Sequence, residues 1–258
     1  MSCKLSQRLT SLTSHLQLII INNPNNPTGS TIPASVLEAI VLFARARKLA
    51  ILSDEVYSPL YHSLAASVPP PPSLLHYAWT SPRDRILVTG SMSKAFALAG
   101  IRIGWIGSSC VDMLDALAAA RDYTTISVSG LDDQVAAYAL SRNVLPALLE
   151  RNLSLARANL ALLAAFVDRH PAVCDWVRPT AGTTALIRFR TRRGVPVDDV
   201  KFALELLERT KVMVVPASRC FGGGRDFEGC VRVGYACHTE VLVEALEALE
   251  RFVVEEMV

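Results

Sequence analysis

With 258 residues and 51% hydrophobic side chains, the chain has enough apolar material for one or two buried cores. A net charge of +2, with Lys and Arg scattered among Asp and Glu, excludes the basic surface that a nucleic acid or an anionic membrane calls for. No apolar run reaches the roughly 20 residues of a membrane-spanning helix, so no membrane partner is expected.

The opening, MSCKLSQRLTSLTSHLQ, is Ser/Thr-rich, basic and free of acid. It faintly resembles an organellar presequence, lacks the pattern of a secretory signal, and is read as an ordinary disordered terminus. LQLIIIN, Leu16 to Asn22, predicts a buried strand. Pro33 then opens a helix to about Lys48, since a proline in the first turn costs little. LAILSDE predicts the next buried strand, and RILVTG and IRIGWIG two more. The eleven residues from Gly90 to Gly100 are marginal for a crossover helix, so the strand after them is expected to run antiparallel to its neighbour. These runs are too continuously apolar for a one-sided sheet, which predicts an α/β fold: a three-layer, mostly parallel sheet with helices on both faces.

Helices are predicted at about Ser109 to Tyr123, Leu131 to Ser141 and Val144 to Arg169, the last with Pro146 in its first turn. Beyond Pro171 the pattern changes to strands at CDWVRP and TTALIRFR, a helix over Val197 to Thr210, strands at VMVVPAS and CVRVGY, and a closing helix from about Thr239. That is a smaller α+β layout, so the domain boundary is placed at the long helix: residues 1–143 and residues 144–258. VPPPPS and FGGGRDFEG are the strongest loop signals, and the glycines of the second lack the Lys-Ser/Thr of a nucleotide-binding loop.

The six cysteines, Cys3, Cys110, Cys174, Cys220, Cys230 and Cys237, form no CxxC pair, and the five histidines show no HExxH spacing. Buried, reduced thiols in a cytoplasmic protein without a metal site are expected.

Four features fall at the ends of apolar strands, where open α/β sheets bind ligands. NNPNNPTGS leaves the first strand through turn-forming steps that can aim Asn26 at a ligand. SDEVYSPLY puts Asp54 and Tyr57 just past the second. GSMSK carries Ser91, Ser93 and Lys94, and GIRIGW sets Arg102 between two isoleucines in a strand. Lys94 stands between small and apolar runs, so its ammonium is expected to be desolvated, a state that demands a purpose. Taken singly, each feature has a plainer account: a turn, a helix cap, a self-bonded loop, an internal ion pair.

Jointly, NPNNPTG, SDEVY, GSMSKAFALAGIRIGW and the later GCVRVGYA resemble the class I/II aminotransferases, fold-type-I enzymes that depend on pyridoxal phosphate. The lysine motif with an arginine eight residues on is the most specific of these. The resemblance implies that pyridoxal 5'-phosphate forms a Schiff base with Lys94, which also carries the proton between substrate and cofactor carbons. It implies that Asp54 holds the pyridine nitrogen protonated, that Tyr57 and Asn26 bond the ring's phenolic oxygen, and that Ser91 and Arg102, with Ser93 in support, bind the phosphate. Arg232, in CVRVGY, would clamp the substrate α-carboxylate together with Asn26, a structural ion pair being the competing reading.

An amino acid and a 2-oxo acid are the implied substrates and a homodimer the implied assembly. Tyr61 and Arg219 are conceivable pocket residues. The family carries a glycine-rich phosphate turn and a stacking aromatic ring ahead of the Asn-Pro motif, where only about twenty residues stand here. A chain truncated at its N-terminus, with weakened cofactor retention, is therefore expected. Two alternatives stay open: another reaction of the same cofactor, as in a carbon–sulfur lyase or an aminocyclopropane-carboxylate-synthase-like enzyme, and a non-catalytic dimerisation or regulatory module.

Overall fold

A computed structural model describes residues 16–78, 84–224 and 226–257. The readings made on the opening segment and Cys3 lie outside the described residues, Leu16 and Gln17 apart. Backbone contacts divide the chain into two units. The first takes the chain up to Pro24, Thr31–Pro59 and Ala65–Leu149; the second takes Asn25–Ser30, Leu60–Leu64 and Glu150–Val258.

In the first unit, strands β1 (Leu18–Asn22), β2 (Ala50–Asp54) and β3 (Ile86–Ser91) run parallel in that order, and β4 (Gly104–Gly107) lies antiparallel against β3. The antiparallel fourth strand is the one the short Gly90–Gly100 connection predicts. Period-two alternation sorts the side chains: Ile19, Ile21, Ile51, Ile86 and Val88 pack with Leu37, Val41 and Ala44 of helix α1 (Ala34–Arg47) and with Leu74 and Ala78 around the short helix α2 (Leu75–Ala78). Pro33, read as part of the first turn, instead stands just before α1 as its cap, in extended conformation.

On the opposite face, helix α3 (Val111–Arg121) stands over β3 and β4 across a groove of ≈ 840 Å³, with Ile106 on one wall and Leu114 and Leu117 on the other. Leu18 and Ile20 of β1 remain 42% and 66% exposed on that face. Gly90 is required by packing: a Cβ there would come within 2.2 Å of the Trp105 ring. Helix α4 (Gly130–Ala139), whose Ser129 cap accepts from the Asp132 N–H, completes this unit together with the start of α5 (Leu145–Arg169).

The second unit is built on an antiparallel sheet of order β5 (Cys174–Trp176), β6 (Thr184–Phe189), β8 (Cys230–Gly234), β7 (Val215–Pro216). One face carries the core: Ala185, Ile187, Phe189, Val231 and Val233 against Leu160, Leu163 and Phe166 of α5, Phe202 and Leu206 of α6 (Asp199–Thr210), and Leu249, Phe252 and Val253 of α8 (Thr239–Met257). Asp198 starts α6 by accepting from the Val200 and Lys201 N–H groups. The strand read at VMVVPAS shrinks to two residues and becomes the short helix α7 (Ala217–Cys220). Pro216 brings no ladder N–H and its fixed φ suits the start of a helix.

All five described cysteines are free thiols. Cys174 and Cys230 are buried, but Cys220, expected to be inside, is exposed at the end of α7. No helix among the described residues is long and apolar enough to cross a membrane.

Candidate active site

The parallel strands β1, β2 and β3 open their carboxyl ends on one edge, and the first unit gathers its candidate residues there. Asp54 ends β2. Its backbone carbonyl accepts from Asn22 Nδ2 at 3.1 Å and from the Asn23 N–H at 3.0 Å. Its carboxylate Oδ1 accepts from Thr89 Oγ1 at 3.1 Å and the Val56 N–H at 3.3 Å, so donors from two elements set its direction. Glu55 turns to the opposite face, where it is buried and accepts from Ser53 Oγ and the Leu74 N–H, each at 2.9 Å. Burial pushes the Glu55 carboxyl pKa up against the pull of those bonds. Tyr57, in the turn after Asp54, is 5% exposed. Sequence reasoning missed Thr89. It stands opposite Asp54 in register and two residues before Ser91, on the same face, which period two makes visible once β3 is placed.

Beyond β3 the chain turns tightly. Ser91 Oγ accepts from the Ser93 N–H at 3.0 Å and donates to the Ile103 carbonyl at 3.4 Å. Met92, Ala95 and Phe96 are buried, whereas Lys94 is exposed. This corrects the expectation of a desolvated amine. The spacing i, i+3, i+4 turns the apolar side chains inward within the turn and leaves the lysine pointing out, where its ammonium keeps its hydration.

Arg102 also departs from its expected place. It is not in a strand; it closes the turn Ala99–Ile101 with φ 56° and ψ 32°, two residues before β4 begins. With so few residues between antiparallel strands, the chain reverses through left-handed positions at Ala97 and Arg102. The reversal carries the exposed Arg102 guanidinium over the turn, where Nη1 donates to the Ala99 carbonyl at 2.8 Å and to Ser93 Oγ at 3.4 Å. Ser91, Ser93 and Arg102 thus form one bonded group beside Lys94, with Asp54 one strand away.

The second unit brings together the other two candidates. Arg232 of β8, paired in register with Leu186 and Val215, donates from Nη1 to Asn26 Oδ1 at 3.3 Å. Its guanidinium lies 5.8 Å from the Phe221 ring centroid, and no carboxylate among the described residues pairs with it. The competing ion-pair reading therefore loses its partner. The Asn26 turn is anchored at Gly29, whose carbonyl accepts from Thr180 N–H at 2.9 Å and Ala181 N–H at 3.0 Å. Gly29 has φ +65°, and a Cβ would meet Pro179 at 2.6 Å and the Thr184 carbonyl at 2.8 Å, so no other residue fits. Tyr61 is half-buried and Arg219 exposed.

Sequence reasoning also missed His62, 5% exposed in the second unit. Burial depresses its imidazole from 6.5 to about 4, with Arg157 adding to the fall and carbonyls of the loop opposing it. The unfolded chain takes up this proton near the ordinary histidine pKa, whereas folded His62 refuses it until about pH 4. The stability present above pH 6.5 is therefore lost as pH falls through that window. A loss of about 2 kcal/mol is expected between about pH 7 and pH 5, to be read from urea midpoints at both values. His62→Gln should flatten the slope; an equal slope in the variant would remove His62 as its source.

A profile of the aminotransferase class I and II family matches residues 3–249. Among curated proteins, capreomycidine synthase of Streptomyces vinaceus is 31% identical over 242 residues, which are 92% of this chain and 56% of that protein. The aspartate aminotransferase of Thermotoga maritima is 30% identical over 249 residues, 93% and 57% of the respective chains. Among solved structures, a PLP-dependent aminotransferase from Streptococcus suis superposes with a TM-score of 0.81 at 33% identity, covering 97% of this chain and 61% of that one. The chain spans less than two thirds of the length of each of these relatives.

Proposed function

This chain belongs to the class I and II aminotransferases, and from that membership we propose that it serves pyridoxal-phosphate-dependent transfer of an amino group between an amino acid and a 2-oxo acid. The observation that carries the reading is the single turn that groups Ser91, Ser93, Lys94 and Arg102 beside the strand-end carboxylate of Asp54. The donor set suits the cofactor. Two hydroxyls and a guanidinium fork match a phosphate dianion, an accessible amine suits an aldehyde, and a fixed carboxylate suits a ring nitrogen.

When bound, pyridoxal phosphate supplies a ring that draws electrons from the substrate Cα. In this proposal Ser91, Ser93 and Arg102 hold its phosphate, and Asn26 and Tyr57 direct donors to its phenolic oxygen. The Asp54 carboxylate keeps a proton on the ring nitrogen. Lys94 Nζ would hold the cofactor's aldehyde carbon and would supply the base for the proton at the substrate Cα. The Arg232 guanidinium binds the α-carboxylate through its two-pronged face, oriented by Asn26. The first unit would then provide the cofactor site, and the second, which takes in residues 25–30 and 60–64 with Glu150–Val258, the substrate-clamping residues.

A second reading keeps the cofactor and changes the reaction, because a synthase stands among the relatives at the same level of identity as an aminotransferase. Product analysis separates the two. Matched formation of a 2-oxo acid and a new amino acid supports transfer; consumption of the amino acid with no amino acceptor product supports elimination or cyclisation. The non-catalytic module is disfavoured by the joint presence of Lys94, Asp54, Tyr57, Arg102 and Arg232, a set that a purely structural remnant has no need of.

We place the protein in the cytoplasm on the free thiols of its five described cysteines. A homodimer is proposed on the apolar side chains exposed along α3, α4 and the segment between them, among them Val111 at 66%, Ile126 at 67%, Leu131 at 81% and Tyr138 at 70%. Light scattering giving the mass of two chains is the expected result, and a monomer at micromolar concentration would contradict it.

A further inference from the structure

His62 is a buried polar side chain that none of the proposed roles uses, and every polar atom of its ring has a partner. Nε2 lies 2.8 Å from Tyr235 Oη and 3.1 Å from the Gly182 carbonyl, and Nδ1 lies 2.9 Å from Ser63 Oγ. Tyr235 Oη in turn lies 3.1 Å from the Gly182 carbonyl, with Tyr235 fully buried. One hydrogen arrangement satisfies all of these atoms: Nε2–H donates to Tyr235 Oη, Tyr235 O–H donates to the Gly182 carbonyl, and Ser63 O–H donates to Nδ1. The neutral imidazole with its proton on Nε2 is therefore a matched part of this site.

What the ring joins is more informative than the ring itself. Tyr235 follows Arg232 by three residues, and its N–H continues the β6–β8 ladder to the Thr183 carbonyl at 3.0 Å. The same loop, residues 179–183, anchors the Asn26 turn through the two bonds to the Gly29 carbonyl. The segment bearing His62 is stitched to that loop by Gly182 N–H to the Leu60 carbonyl and Ser63 N–H to the Thr180 carbonyl, each at 3.0 Å. Arg157 Nε fixes the His62 carbonyl at 3.0 Å, and Asn159 Nδ2 fixes that of Tyr235 at 2.7 Å. Both arms of the Arg232–Asn26 pair thus end on one loop, and His62 with Tyr235 closes that loop.

We infer that His62 is a positioning residue for the substrate carboxylate: through Tyr235 and residues 179–183 it holds Arg232 and Asn26 in the mutual orientation that a carboxylate requires. The inference rests on the reading of Arg232 as the carboxylate site and adds to it a residue that touches neither substrate nor cofactor. A side-chain amide can supply the same donor at Nε2, so glutamine is the conservative replacement and alanine the disruptive one.

The test reads Arg232 directly, by 15N relaxation of its Nε–H in the full chain without cofactor. His62→Ala should free the guanidinium to the level seen in Asn26→Ala, and His62→Gln should restore wild-type order. With pyruvate as probe, the midpoint of the Arg232 Nε–H shift should rise about tenfold in His62→Ala and recover in His62→Gln. If His62→Ala does not fold, Tyr235→Phe, which removes only the hydroxyl, should release Arg232 in the same way. Unchanged Arg232 order in a folded His62→Ala or Tyr235→Phe chain would overturn the inference. Absence of any pyruvate response in the wild-type chain would instead overturn the carboxylate role of Arg232, with the relaxation data still deciding whether His62 orders it.

Discussion

Lys94→Ala is expected to lower amino-group transfer by about 10⁴-fold or more, the upper range for removing a positioned general acid/base, with loss of the covalent anchor added to it. The exposure of Lys94 sharpens this result. A surface substitution away from caps and cores usually changes stability by no more than about 0.5 kcal/mol, so the variant should unfold at the wild-type temperature. Lys94→Arg keeps the positive charge but offers a group that stays protonated, and it should be as inactive as the alanine variant. Single-turnover rates and melting curves for the three chains check both halves. A Lys94→Arg chain with near wild-type turnover would show that charge alone suffices there.

Asp54→Asn should lower kcat/KM by about 10³-fold, equivalent to about 4 kcal/mol of lost transition-state stabilisation. Asparagine can still accept from Thr89 Oγ1 and the Val56 N–H through its own Oδ1, so the local structure has no reason to change. What disappears is the negative charge, and with it the means by which, in the proposed role, Asp54 would keep a proton on a ring nitrogen. Asp54→Ala would also orphan the Thr89 hydroxyl and confuse a structural effect with a chemical one. Steady-state rates with the asparagine variant, beside a circular dichroism spectrum matching wild type, are the measurement. A fall of less than tenfold would take Asp54 out of the chemistry.

The strand ends were legible because apolar runs stop there abruptly, and Asp54 and Ser91 lie where LAILSDE and RILVTG give out. The antiparallel β4 was legible from the shortness of its connection. The environment of Lys94 was not: counting apolar neighbours along the chain says nothing of which way each points, and the turn buries Met92, Ala95 and Phe96 while exposing the lysine between them. Arg102 was misplaced for a related reason, since the isoleucines around it read as strand while the reversal demands left-handed backbone.

Membership of residues 25–30 and 60–64 in the second unit was beyond local pattern altogether. It depends on bonds such as that from the Thr180 N–H to Gly29, made across a long separation in sequence. His62 and Tyr235 belong to the same class: a lone histidine and a tyrosine after a strand carry no signal until the fold sets them edge to face at 5.8 Å. The roles assigned to Lys94, Asp54 and Arg232 came from the motif resemblance, and periodicity could only place them at strand ends or within strands.

The central claim is that Lys94 is the amine that takes the cofactor, and borohydride trapping reads it most directly. The chain is incubated with pyridoxal phosphate, reduced, digested and mapped by mass spectrometry. A single label on the peptide containing Lys94, lost in Lys94→Ala, is the predicted result. A label spread over Lys48, Lys201 and Lys211 as heavily as over Lys94, and undiminished in the variant, would contradict it.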